Sequence, residues 1–552
     1  MSKRKDENLV EPQKILRDPR AKVKNRKAQS AEKFSGVMVL YMFATILTKI
    51  LGFGREIFIT QRFGYGAISD GYILGFSIPD LVYSLLVGGA ITAAITPILS
   101  AAIERDEEEE AWRPISTFLT LIFVFFALFM ILGEIFAGPL VSFINPGKDP
   151  FVIDIASSVS RVIFLQTFFF ILIAILAAVL SANKVFGLQV FGDSIYNFIS
   201  LISIAFLGVA TKDGAVRVAW GIVVAALAYF LYIAFFAKPY VGNFRPNLDV
   251  KQPLFKRILF LAVPPIISGS VMQITVIIRQ TFADQFVGAI TSLRNAATLY
   301  NLPYQIAINS IGPLMLPNIA GFLARGANKE ASIFFSKSVK TAIYILVPAS
   351  ILFFVASEET VQAVYQWNVQ AYTHENVRAT AGLLRIYAID MLIQTLVFFI
   401  NQTFYAKQKS WIALVTAVIT MGLNPILFYF AINVLNQSLL GLAWASVISG
   451  FIIFLISYVL MKRNVPEIRV IHMPQYLVKV AASGVFAVGF LALAKLLMPS
   501  SPSKIIQLMQ YAFYGVVIFG TYFLGTIALD MPEARSWLNI VQRVAGRVKR
   551  RK

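Results

Sequence analysis

The sequence predicts an all-α polytopic membrane protein with about 14 transmembrane helices, arranged as two parallel six-helix lobes plus two C-terminal helices, and three observations carry that prediction. First, 57% of the 552 residues are hydrophobic, only 14% are charged and the mean hydropathy is +0.71, a balance that leaves too little polar surface for a soluble domain. Second, apolar runs of the roughly 20 residues that cross a ~30 Å hydrocarbon core recur from Val37 to Leu529. Third, these runs are rich in Leu, Ile, Phe and Ala and lack the ten-residue alternation of barrel strands, so helices must satisfy the backbone.

In chain order the spans are expected at 36–62, 67–100, 114–145, 152–182, 187–209, 215–236, 254–285, 288–323, 338–357, 379–405, 410–434, 439–461, 480–498 and 506–530. The organisation that follows is a basic tail (1–35), a first lobe (36–236), a linker (237–253), a second lobe (254–461), two further helices (462–530) and a basic amphipathic tail (531–552). Met1 to Lys33 holds eleven Lys/Arg and no apolar stretch, so no cleavable signal is expected. Zero cysteines exclude disulfides and thiolate sites, and two histidines argue against a histidine metal centre.

The net charge of +20 raises nucleic acid as a partner, but the positions of the charges assign it to topology. With the N-terminus inside, the inner loops carry seventeen Lys/Arg and the outer loops only Arg62, Lys148, Lys212, Arg217, Arg378, Lys495 and Lys504. That positive-inside bias puts both termini in the cytoplasm and leaves no module to read bases. The acidic run Glu104 to Glu110 reads as a solvated loop, since consecutive carboxylates repel rather than converge on a cation. From Pro532 to Lys552, Trp537, Leu538, Val541, Val544 and Val548 share one helical face, as in a helix lying on an anionic leaflet.

Ionisable residues inside spans cost about 2.5 to 3.5 kcal/mol each on insertion scales, so they face a wet cavity or a partner. The first span holds Lys49, Arg55 and Glu56 around Gly52 and Gly54, and the second holds Asp70 and Asp80. Glu134, Arg161, Asp193, Arg279, Arg294, Lys340, Arg385 and Asp390 follow. The glycines are expected to loosen the first helix so that Lys49 and Arg55 converge on one cavity, and fixed cations suit phosphate. Charges near span ends also snorkel, and buried pairs also serve packing alone, a reading that weighs most for Arg279, Lys340 and Arg385.

An offset of 224 residues aligns Arg55 with Arg279, Phe58 with Phe282, Gln61 with Gln285, Gly64 with Gly288, Pro79 with Pro303 and Gly88 with Gly312, without a gap. The halves so related are parallel repeats that rock about an axis along the membrane normal, exposing a site between them to each side in turn. Asp70 aligns with Arg294, so the halves differ chemically.

The stretch TKILGFGREIFITQRFGYGAISDGYILGFSIPDLVYSLLVGGAITAAITPIL, residues 48–99, resembles the MurJ (MviN) lipid II flippase family of the multidrug/oligosaccharidyl-lipid/polysaccharide exporter superfamily. The L-G-F-x-R-[DE] element, the aspartate opening span 2, the I-P-D element and the small-residue run ending in P-I-L carry the likeness, which extends over about residues 36–530. It implies export of undecaprenyl-pyrophosphate-linked peptidoglycan precursor to the outer leaflet of the bacterial cytoplasmic membrane, with no covalent chemistry and no cofactor. It also implies a driving force from a coupling ion, sodium or proton, or from the membrane potential. By the resemblance Arg55 binds pyrophosphate, Glu56 is the adjoining acid, Asp70 is the aspartate of span 2, and the last two helices hold the polyprenyl tail; as an in-span charge, Asp80 is expected beside Glu56 and Asp70 as a cavity or gating acid. Lys49 replaces an arginine of the family, keeping the charge without the planar fork. Tyr83 and Ser84 stand where many members have arginines, Gly88 near an expected glutamate, and Thr298 where a cavity arginine is expected. Arg294, one turn before Thr298, is the first substitute for it and Arg279 the second. No residue is assigned to a metal, and nothing assigns an oligomeric state.

Three other activities fit parts of the pattern: export of another undecaprenyl-linked glycan, drug antiport on the same scaffold, and a scaffold without transport. A membrane glycosyl- or phosphotransferase is disfavoured, because the longest connections, about twenty residues, leave little room for a donor site.

Overall fold

A computed structural model describes residues 44–535 except 88, 89, 184, 186 and 499–502, together with residue 538. The basic N-terminal tail, Gly88 and nearly all of the C-terminal amphipathic stretch therefore lie outside the described residues. Among those described there is no strand, and the chain is an all-α bundle with about 14 crossings. Eleven helices are long and apolar enough to span a membrane on length and composition alone.

The helices are α1 (44–63), α2 (Ala67–Leu74), α3 (Ser77–Leu86), α4 (Ala90–Glu104), α5 (Glu108–Ile144), α6 (Pro150–Ala182), α7 (Leu188–Leu207) and α8 (Lys212–Ala237) in the first half. The second half has α9 (Pro253–Ala283), α10 (Ala289–Ala324), α11 (Asn328–Val355), α12 (Ser357–Tyr365), α13 (His374–Ala406), α14 (Ser410–Tyr429) and α15 (Leu439–Asn464). Two more, α16 (Met473–Leu497) and α17 (Lys504–Ala528), form a hairpin against α11. In the first half α6 is the hub, touching α2, α4, α5 and α8; in the second, α13 plays that part toward α10, α11 and α15. Helix α9 packs on α3, α4 and α5 as well as on α14, and so joins the halves. Large apolar side chains such as Phe143, Phe206, Phe235 and Leu496 point outward, a surface that only lipid can cover.

The structure departs from the sequence expectations at three places, each with a physical cause. Glu108 to Glu110 are not loop but the first turn of the 37-residue α5, where carboxylates complement the positive end of the helix dipole. The first span is unbroken at Gly52 and Gly54; those glycines instead bring α1 close to α7, where an added Cβ would stand 3.5 Å from Asn197 and 2.9 Å from Leu201. The break falls in the second span, which divides into α2, α3 and α4. Gly71 and Gly75 press α2 against α6, leaving 2.8 Å to Ile155 and 2.5 Å to Val159 for any Cβ. The chain then turns at residues 75–76 to begin α3.

Candidate functional site

A cavity of about 350 Å³ lies between α1, α7 and α10. Helix α1 lines it with Lys49, Gly52, Phe53 and Glu56, spaced by three or four residues as one helical face requires, and with Arg55 at its edge. Helix α10 answers with Arg294, Thr298, Asn301 and Gln305, also on one face, and α7 adds Asn197. Lys49, Arg55 and Arg294 are thus brought together although Arg294 is remote from the other two in sequence.

Glu56 is the hinge of this cluster. Arg294 donates to it bidentately through one edge, Nε to Oε2 at 2.7 Å and Nη2 to Oε1 at 3.0 Å, and Arg55 Nη2 donates to Oε1 at 2.9 Å. The Glu56 side chain is only 12% exposed, so the carboxylate needs both forks to offset the loss of water. Arg55 also lies over the Tyr196 ring at 5.8 Å, while its Nε–H has no hydrogen-bond partner among the described residues. Lys49 donates to the neutral Gln305 Oε1 at 2.5 Å and forms no ion pair among the described residues. Three cations against one carboxylate leave the cluster electropositive, with donors that a doubly charged phosphate group could engage bidentately.

Asp70 sits elsewhere. At the end of the bundle where α1 turns into α2, it is 2% exposed and accepts from Thr291 N–H at 2.9 Å and from Thr291 Oγ1 at 2.7 Å. Gly288 gives α10 no side-chain cap, so an aspartate from the other half of the molecule satisfies the exposed N–H of its first turn. Lys148 completes the seal, with Nζ 3.5 Å from Asp70 Oδ2 and 3.3 Å from the Asp284 carbonyl. Around it Tyr65 N–H donates to Ala371 O at 3.1 Å, and Tyr65, Ser292, Thr380 and Tyr372 form a chain of hydroxyl contacts. Asp70 therefore ties the two halves together at this end and does not pair with the cavity cations. Asp284, beside Lys148, has both carboxylate oxygens buried.

Asp80 faces a neighbouring cavity of about 330 Å³, which it shares with Tyr83, Asp193 and Tyr229. Arg279 is not in the α1/α10 cavity: it lines a separate space of about 450 Å³ in the second half, with Tyr300, Asp390, Gln394 and Asn424. Thr298 does line the α1/α10 cavity, one turn from Arg294, so that helical face carries its cation at 294. Sequence reasoning passed over Gln305, Thr291 and Tyr65, and treated Lys148 only as a loop charge. No local pattern marks them, because each acts through a residue more than 75 positions away.

Two helical halves sealed together at one end, around a charged cavity within the bilayer-spanning region, define a polytopic membrane transporter. The family model described as "Lipid II flippase MurJ" matches residues 59–516, and the chain belongs to that family. It is 24% identical over 421 residues to the "Probable lipid II flippase MurJ" of Rhizobium tropici, covering 74% of this chain and 77% of that one. Among solved structures, "Lipid II flippase MurJ, inward closed conformation" superposes with a TM-score of 0.73 at 20% identity, over 89% of this chain and 100% of that one. A multidrug resistance MATE family transporter of the MOP superfamily, in its inward-facing conformation, gives a TM-score of 0.60 at 10% identity over 76% of this chain and 94% of that one, and shares the fold.

Proposed function

We propose that this protein exports the undecaprenyl-pyrophosphate-linked precursor of peptidoglycan, lipid II, across the cytoplasmic membrane by alternating access. The observation that carries the reading is the convergence of Lys49, Arg55 and Arg294 on one cavity whose nearest counter-charge is Glu56. In the empty cavity Glu56 is the anion that keeps the arginines apart and oriented. The substrate pyrophosphate takes up the unpartnered Arg55 Nε–H, the free edge of Arg294 and the Lys49 ammonium, which leaves neutral Gln305 for a charged partner.

The excess of basic residues in one set of loops supports placing both termini in the cytoplasm. In that orientation the Asp70–Thr291–Lys148 seal is the outer gate, and the cavity lies on its cytoplasmic side. Residues 36–236 and 254–461 are the two rocking lobes, 1–35 and 531–552 the basic tails, 237–253 the linker, and 462–530 the helices that carry the prenyl tail. Binding of the pyrophosphate loosens the Glu56 bridge, and reopening outward breaks the trans-cap on α10; the step needs differential affinity and no covalent chemistry. The driving force comes from a sodium or proton gradient or from the membrane potential.

Arg55→Ala is the direct test, supplied to a host depleted of its own flippase. Loss of growth at normal expression is the expected result, and full growth would remove Arg55 from the mechanism. Flipping of pyrophosphate lipids against drug efflux in proteoliposomes separates this activity from an antiporter, and substituting other undecaprenyl-linked glycans tests the headgroup.

A further inference from the structure

At the end of the bundle opposite the Asp70 seal, a cavity of about 460 Å³ lies outside the substrate path, between α11, the 465–472 connection and the residues after α17. Its lining includes Lys337 and Lys340, one turn apart on α11, flanked by Ser336 and Thr341, with Glu533 opposite. The wall is built. Arg469 N–H donates to Ser332 Oγ at 2.9 Å and Ile471 N–H to Ser336 Oγ at 2.9 Å, so the connection is strapped along two successive turns of α11. Tyr476 donates to the Lys340 carbonyl at 2.7 Å, and the Lys340 ammonium stands 5.5 Å over the Tyr476 ring. Among the described residues neither lysine ammonium has an ion pair or a hydrogen bond, and Glu533 Oε2 is buried without a partner. Two cations and a carboxylate thus share one cavity without meeting.

The depth of this cavity matters. Helix α16 begins at Met473 and α17 ends at Ala528, so the cavity is level with their ends, where headgroups lie, and Ile333 beside it is 48% exposed on the lipid-facing surface. The chain beyond Glu533 has seven Lys/Arg and no acid. A basic pocket between helices at the cytoplasmic face is a phosphate-headgroup site in chemical terms. Glu533 adds a requirement: the headgroup must also present a donor, a hydroxyl or an ammonium, beyond its phosphate.

We infer that Lys337, Lys340 and Glu533 form a binding site for a glycerophospholipid of the inner leaflet whose phosphodiester meets the two lysines and whose headgroup hydroxyl or ammonium meets Glu533. The assignment to the inner leaflet rests on the orientation proposed above; the site itself does not. Such a lipid pins α11 to the α16–α17 hairpin and to the start of the C-terminal tail.

The test is native mass spectrometry of the full-length protein in detergent, titrated with phosphatidylglycerol, phosphatidic acid and phosphatidylcholine, with inorganic phosphate as competitor. Each ammonium is worth about fivefold at a charged surface, so Lys337→Gln with Lys340→Gln weakens phosphatidylglycerol binding roughly thirtyfold, and the double arginine variant restores it. Should the double variant not fold, Lys337→Gln alone, at an exposed position, is expected to lose about fivefold. Glu533→Gln removes the preference for phosphatidylglycerol over phosphatidic acid without weakening phosphatidic acid binding, since it also removes a like charge from beside the phosphate. Undiminished binding in the double glutamine variant overturns the proposal, as does full displacement of the lipid by millimolar inorganic phosphate, which would make this a site for free anions. Lipid II and flipping do not enter the assay, so its failure is distinct from failure of the flippase reading.

Discussion

The α1–α2 corner and its repeat, the α9–α10 corner, occupy equivalent places in the two halves and have opposite characters. Both turn through a glycine in the left-handed region, Gly64 at φ 72° and Gly288 at φ 69°. Beyond the turn the first half breaks into α2, α3 and α4, whereas the second runs on as the 36-residue α10 despite Pro303, Pro313 and Pro317. At the 224-residue offset, Gly71 and Gly75 correspond to Asn295 and Leu299, which cannot allow the close approach that presses α2 onto α6. Charge divides the same way. Lys49 corresponds to Gln273, Glu56 to Gln280 and Asp80 to Tyr304. Glu56 binds two arginines, while Gln280 accepts from Ser77 Oγ at 2.9 Å. The lesson is that one corner has become the charged wall of a site and the other a rigid strut that delivers a single arginine, Arg294, to it.

The largest expected effect tests that division at its centre. Glu56→Gln leaves Arg55 and Arg294 facing each other without a counter-charge and should cost about 3 to 5 kcal/mol in thermal unfolding, partly recovered by a pyrophosphate ligand. Gln280→Glu should not stabilise anything, because the partner there is a serine; an equal effect of the two substitutions would erase the asymmetry.

The aligned arginines separate more modestly. Arg55→Gln should weaken binding of a pyrophosphate lipid about a hundredfold, as loss of a charge-assisted contact does, and Arg279→Gln less than about threefold, since Arg279 faces Asp390 in a different cavity. Comparable losses in a binding titration would return Arg279 to the substrate site. Smallest are the turn glycines. A Cβ on Gly288 would stand 1.9 Å from the Tyr65 ring, whereas one on Gly64 would find its nearest neighbour, Ala371 O, at 3.2 Å. With Tyr65 intact, Gly288→Ala should cost about 2 kcal/mol and Gly64→Ala about 1, read as the loss in thermal unfolding.

How much was legible in the sequence depended on the range of the interaction. Helix type and span number follow from apolar run length, and the beginnings of α9 and α10 agree with their expected spans within one residue. Lys49, Arg55 and Arg294 stood out because a charge in an apolar run is conspicuous without knowledge of its neighbours. Glycine, by contrast, is ambiguous: in the first span Gly52 and Gly54 read as a kink, and in the fold they are points of helix contact. The same residue type two turns into the second span does accompany a break, and only the position of α6 tells the two apart.

The sequence by itself determined an all-helical membrane protein, the loop-charge bias and the residues capable of holding a phosphate, since each of these is a property of composition or of one helix. Tertiary structure alone decided that Asp70 caps α10, that Lys49 bonds Gln305 across 256 positions, and that Arg279 lies in a cavity apart from Arg55. The physical reason is that a buried charge must find a partner, but the chain does not encode which one until the two halves are packed together.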